Sequence, residues 1–137
     1  MSYSIETVEG IAKSYGNKLR KCGVKTTKGL LDRGSTPAGR KALAKESGIE
    51  GKLILKWCNM SDLMRVKGVG EEYSELLEAA GVDTVKELKT RKPDNLHKAM
   101  AAANAKRKKG LVRQLPGLAQ VEKWVKHAKG LPAMMKY

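Results

Sequence analysis

Apolar residues along this chain recur at helical spacing, and nowhere alternate with polar ones over the length of a half-buried strand. Tyr15, Leu19 and Cys22 stand at i, i+4 and i+7, as do Tyr73, Leu77 and Ala80, so each set marks the core-facing stripe of one helix. Leu53, Trp57 and Met60 mark a further stripe, Leu96 and Met100 another, and Val121, Trp124, Val125 and Ala128 the last. The punctuation fits these helices. Gly23 and Gly81 stand where a helix ends in a left-handed residue. Thr26 and Thr84 suit the N-cap of the next helix, and Thr84 with Glu87 predicts a capping box. Thr36-Pro37 predicts a cap followed by proline in the first turn, opening a helix toward Glu46 that stops at Gly48. Pro93 opens another helix, and Gly110 and Pro116-Gly117 break the chain before the final one.

Sliding the sequence against itself by 58 positions lays Ile5–Ala12 over Leu63–Gly70 without a gap. In the same register Tyr15 falls on Tyr73, Leu19 on Leu77, Gly23 on Gly81, Val24 on Val82, Thr26 on Thr84 and Leu30 on Leu88. Coincidence of apolar positions, glycines and a threonine predicts an internal repeat. Each copy reads as a short helix, a tight glycine hairpin, a longer helix, a stop and a new helix. Lys56-Trp57 and Lys123-Trp124 look like one further element repeated at a larger offset, and both tryptophans read as core pegs. The chain divides into halves at 1–62 and 63–137.

Val66-Lys67-Gly68-Val69-Gly70 has the form apolar-x-Gly-apolar-Gly and leads straight into a helix. These residues resemble the hairpin of helix-hairpin-helix domains, known from repair enzymes, DNA ligases and recombinases. The resemblance implies a hairpin that holds a DNA backbone phosphate without reading sequence. The physics is plain: glycine allows unusual φ and close approach, and successive N–H groups at a helix start form an anion nest. Over nearly its whole length the chain also resembles a family of small two-copy helix-hairpin-helix proteins with no agreed activity. That resemblance rests on the hairpins, the helix start Thr-Pro-x-Gly-Arg at Thr36–Arg40, and Leu-Ile-Leu-Lys-Trp at Leu53–Trp57. The expected fold is therefore all-α: two helix-hairpin-helix repeats with connecting helices, forming one compact domain with a pseudo-twofold internal repeat.

Composition sharpens the choice of partner. The hydrophobic fraction is 41% but aromatics are only 4% and Phe is absent, so the core must be aliphatic and methionine-rich. Net charge is +14, a bias that suits nucleic-acid phosphates, anionic lipid or an acidic protein. The charge is uneven: Glu71–Asp83 holds five acids and no base, whereas Lys86–Tyr137 holds fourteen bases and three acids. No apolar run approaches membrane-spanning length and no signal-like segment follows Met1, so the expected location is cytoplasmic, at the nucleoid. Cys22 and Cys58 read as buried free thiols, and no metal site or cofactor is expected. His97 and His127 stand alone in the sequence and no triad spacing occurs, so the chain reads as no enzyme. The glycosylases that share the resemblance need a catalytic domain this chain is too short to hold.

The leading expectation is a DNA-binding protein of low sequence specificity, with RNA the nearest variant. The first hairpin, Gly10, Ile11 and Ala12, has alanine where the second glycine belongs, but Lys13, Lys18 and Lys21 follow it. The second hairpin, Gly68, Val69 and Gly70, has both glycines and is preceded by Arg65 and Lys67, yet Glu71 and Glu72 open its helix. Lys106, Arg107, Lys108 and Lys109 form the densest basic cluster, which would equally suit a solvated helix end. The alternative is an interaction or scaffold module that docks a basic surface, or a second copy of itself, on the acidic stretch Glu71–Asp83.

Overall fold

The computed structural model describes residues 2–8, 10–106, 112 and 114–137. A 3-10 turn at Ile5–Thr7 precedes the helices α1 (Lys13–Lys21), α2 (Thr27–Gly34), α3 (Pro37–Ser47) and α4 (Gly51–Leu63). The second half continues with α5 (Glu71–Ala79), α6 (Val85–Leu88), α7 (Pro93–Ala105) and α8 (Leu118–Lys129). No strand occurs among the described residues, only an isolated bridge between Ser4 and Thr26. The fold is all-α. One expected element is missing: the second hairpin has no short helix of its own, because α4 runs unbroken to Leu63 and leads directly into it.

Buried side chains gather in two clusters. The first joins Ile5, Leu19, Leu30, Leu43, Ile54 and Trp57, and the second joins Leu77, Leu88, Leu96, Val121 and Trp124. Helix α4 serves both, giving Met60 to the first and Leu63 to the second. Met135 belongs to the first cluster although it lies beyond α8. The segment after α8 therefore crosses back to the opposite half.

The sequence Thr36–Arg40 builds the corner that receives this segment. Thr36 Oγ1 accepts from Gly39 N at 3.1 Å, capping α3 while Pro37 occupies its first turn. Gly39 has no alternative, since a Cβ there would run into the carbonyl oxygen of Arg33. Arg40 is buried and donates to Gly34 O at 2.9 Å and to Lys136 O at 2.8 Å. Lys136 N in turn donates to Ser35 O at 2.7 Å, and Tyr137 Oη donates to Asn59 Oδ1 at 2.6 Å. This motif is thus explained by packing and closure.

Two expectations about helix ends diverge. Thr26 caps α2 by accepting from Gly29 N at 3.0 Å, but Thr84 caps nothing with its side chain. The first amide of α6, Val85 N, instead donates to Asp62 Oδ2 at 2.8 Å. Asp62 is 1% exposed and its other oxygen receives Arg65 Nη1 at 2.6 Å. Val85 N is an amide that a Thr84 cap would not serve, and the Thr84 hydroxyl donates to Glu87 Oε1 at 3.5 Å. In the first half the matching amide, Thr27 N, donates to the main-chain oxygen of Tyr3 at 2.9 Å. Cys58 is buried as expected, but Cys22 is only half-buried. Burial pushes the Cys58 thiol up to about 12, with the Arg40 guanidinium opposing the shift.

Candidate nucleic-acid interface

The two glycine hairpins have matching backbones. Val8 O accepts from Ile11 N at 3.0 Å and Val66 O accepts from Val69 N at 3.1 Å. Gly10 and Gly68 turn through φ of +93° and +92°, a region costly for any side chain. Space is closed as well: a Cβ on Gly10 would stand 3.2 Å from Trp57 Nε1, and one on Gly68 would stand 3.0 Å from Trp124 Nε1. Each tryptophan also meets a tyrosine of the following helix, with ring centroids 5.1 Å apart in both Tyr15–Trp57 and Tyr73–Trp124. The tryptophans are pegs that hold each hairpin against its half of the core.

Both hairpins deliver the chain to a helix start that no side chain caps. Ala12 and Gly70 are the extended N-caps of α1 and α5, and neither makes a side-chain cap bond. Amides in a first helical turn have no acceptor within the helix, so they face outward with partial positive charge. The surroundings then differ. After Ala12 the exposed cations Lys13, Lys18 and Lys21 project from the side of α1 away from buried Gly16 and Leu19. After Gly70 the exposed Glu71 and Glu72 stand over a groove of about 400 Å³ that also touches Thr7, Gly68 and Tyr73. Thr7 thereby brings the 3-10 turn that precedes the first hairpin to the edge of the second.

Other candidates separate. Ile11 and Val69 are buried core residues, so they can lend only backbone groups. Arg65 is engaged, donating to Asp62 and, through Nη2, to Pro132 O at 2.8 Å, which makes it a brace between the second hairpin and the chain after α8. Lys67 is exposed. Lys106 is exposed at the end of α7, while Arg107, Lys108 and Lys109 lie outside the described residues.

The histidines do have partners, contrary to the sequence expectation. His97 Nε2 lies 2.9 Å from Pro116 O. His127 Nδ1 accepts from the backbone N–H of Lys67 at 3.0 Å, across 60 residues of chain, which ties α8 to the second hairpin. That bond leaves a neutral His127 ring with its proton on Nε2. Asp62 and His127 are the functional neighbours that sequence reasoning missed. An acid in the last turn of a helix, where the dipole opposes it, was the available sign for Asp62. Nothing local marked His127.

Among the described residues no group of three metal-ligating side chains occurs, and no helix is long and apolar enough to cross a membrane. The acidic stretch is partly occupied within the fold: Glu78 and Asp83 share a groove with Lys52 and Lys56 of α4. Burial raises the Glu78 carboxyl above its ordinary value, against the pull of Lys56, and Asp83 and Glu75 push it further up.

No curated protein and no solved structure matches the chain. A family model described as a domain of unknown function, DUF4332, matches residues 9–131. That span takes in the glycines of both hairpins, the helices α1 to α8 and the corner at Thr36–Arg40, and the chain belongs to this family.

Proposed function

We propose that the chain is a non-catalytic protein that binds the phosphate backbone of duplex DNA without regard to sequence, as a nucleoid-associated protein would. The two hairpins, on this reading, are helix-hairpin-helix units. The observation that carries it is the first hairpin: Gly10 at φ +93° leads into an uncapped helix start flanked by the exposed Lys13, Lys18 and Lys21. Outward amides and exposed cations side by side suit a phosphate diester, and the net charge of +14 draws the polyanion in. Scaffold binding through Glu71–Asp83 ranks second, because Glu78 and Asp83 already face lysines of α4.

A salt titration tests the reading. If about five phosphates are neutralised, the logarithm of the duplex binding constant falls against log salt with a slope of about −4 to −5. Sequence changes in the duplex leave that slope and the affinity alike. Replacing Lys13, Lys18 and Lys21 with Glu makes the slope shallower by about 3, more than the same change at Lys106, Lys108 and Lys109. Absence of duplex binding at low salt, or binding that ignores salt, overturns the proposal, and preferential binding of RNA would reassign the partner.

A further inference from the structure

The second hairpin has two sides. Toward α5 it meets Glu71 and Glu72, but toward α8 it closes a different groove, of about 730 Å³. The side chains lining this one are Lys67, Gln120, Lys123, Trp124 and His127, with no carboxylate among them. Gly117, also in the wall, is the N-cap of the 12-residue helix α8 and lends no side chain to cap it. Gln120 N already donates to Gly117 O at 3.1 Å, which leaves Leu118 N and Ala119 N as the amides of α8 without a helical acceptor beside this space. Lys67 and Lys123 are exposed cations, and His127 carries its ring proton on Nε2 because Nδ1 is taken by Lys67 N.

Trp57 beneath Gly10 and Trp124 beneath Gly68 stand alike, so what sets the second half apart is the lining around its tryptophan. Trp124 is 2% exposed, and its indole N–H finds no acceptor among the described residues and opens into the groove. An anion in the groove would accept from it. Apart from the Gln120 amide, which both donates and accepts, the polar side chains here are donors or cations, which is the chemistry of a phosphate ester and the reverse of what a cation or a basic peptide needs.

The first half offers no equivalent. In the register that lays Trp57 over Trp124, Lys56 matches Lys123, but Glu50 replaces Gly117 and the buried Met60 replaces His127. Acid at the helix start and a thioether in place of an imidazole remove the anion site.

We infer that the groove between the second hairpin and the start of α8 is a phosphate-binding site built from Lys67, Lys123, His127 and the Trp124 indole. Taking its phosphate from a nucleic-acid backbone rests on the function proposed above, with the second hairpin contributing through its α8 side while Glu71 and Glu72 guard the other.

The chain has two tryptophans, so two indole N–H signals report on the two halves by NMR. Titration with inorganic phosphate and, separately, with a 12-base-pair duplex moves the Trp124 signal, while phosphate leaves that of Trp57 in place. Replacing Lys67 and Lys123 with Gln abolishes the phosphate shift, weakens duplex binding about tenfold and makes the salt slope shallower by about 1–2, with the Trp57 signal unchanged as the control for folding. A Trp124 signal that responds to phosphate in a protein that binds no duplex keeps the site, assigns it to a small phosphorylated ligand and rejects the nucleic-acid reading. A protein that binds duplex with its Trp124 signal unmoved by either ligand, and with the Gln variants unimpaired, overturns the site and leaves the function standing.

Discussion

Single residues in this chain are legible in proportion to how locally they act. Thr26 and Thr36 cap the helices they precede, as their positions predict, because a hydroxyl and an amide three residues apart need nothing else. Gly10 and Gly68 likewise occupy the left-handed turns that hairpin glycines serve. Glu78 is different. In the sequence it is one more acid in an acidic stretch, but folding buries its Oε2 without a hydrogen-bond partner and raises its carboxyl above the ordinary 4.5. A carboxyl raised in the folded state favours folding fully while it is neutral, below 4.5, and loses that contribution as pH climbs through the raised value. Glu78→Gln cannot ionise and escapes the loss. The variant is expected to resist urea better than the parent at pH 7 and to show no such advantage at pH 4, because burial outweighs the attraction of Lys56. Equal midpoints at pH 7 would mean that the buried carboxylate costs nothing.

Whole elements were predictable where the apolar stripe is long, as in α4, α7 and α8, where Trp57, Met60, Leu96, Met100, Val121 and Trp124 are buried as expected and Leu53 is half-buried. They were not predictable where an end is finished by a distant group. Helix α6 has four residues, too few to hold itself together, and its first amide depends on Asp62 from the end of α4. Thr84 stands in the right place with the right side chain, yet it turns its hydroxyl to Glu87 Oε1, and the acceptor that holds the first amide comes from Asp62, 23 residues back. Asp62→Ala is expected to cost about 3 kcal/mol, since it strands both Val85 N and the partly buried Arg65 guanidinium. Asp62→Asn, which keeps an acceptor for the amide, should cost less, and Thr84→Ala should cost under about 1 kcal/mol. Chemical denaturation of the three variants checks the ranking. A larger loss at Thr84 than at Asp62 would return the cap to the threonine.

At the scale of the molecule, the sequence displayed its excess charge and its helical class, but not its closure. The residues that join the two halves are a carbonyl here and a tyrosine there, types without a pattern to read. Arg40 is the exception in chemistry, a buried guanidinium that holds the Gly34 and Lys136 carbonyls and lies 5.6 Å from the centre of the Tyr137 ring. Arg40→Met keeps much of the aliphatic stem and loses the bonds, so it is expected to cost about 2–4 kcal/mol and to loosen Tyr137, which keeps its bond to Asn59, read from the NMR line widths of the Tyr137 ring. Unchanged stability would make the guanidinium a passenger. The position of Met135 carries a consequence for how the protein is made. Its neighbours in the first cluster, from Ile5 to Met64, leave the ribosome first, and at about 5–20 residues per second the methionine that completes their packing follows some seconds later. During that interval the N-terminal half is a nascent chain with an open seam, exposed to chaperones and proteases, and it seals only when the segment beyond α8 emerges and folds back across it.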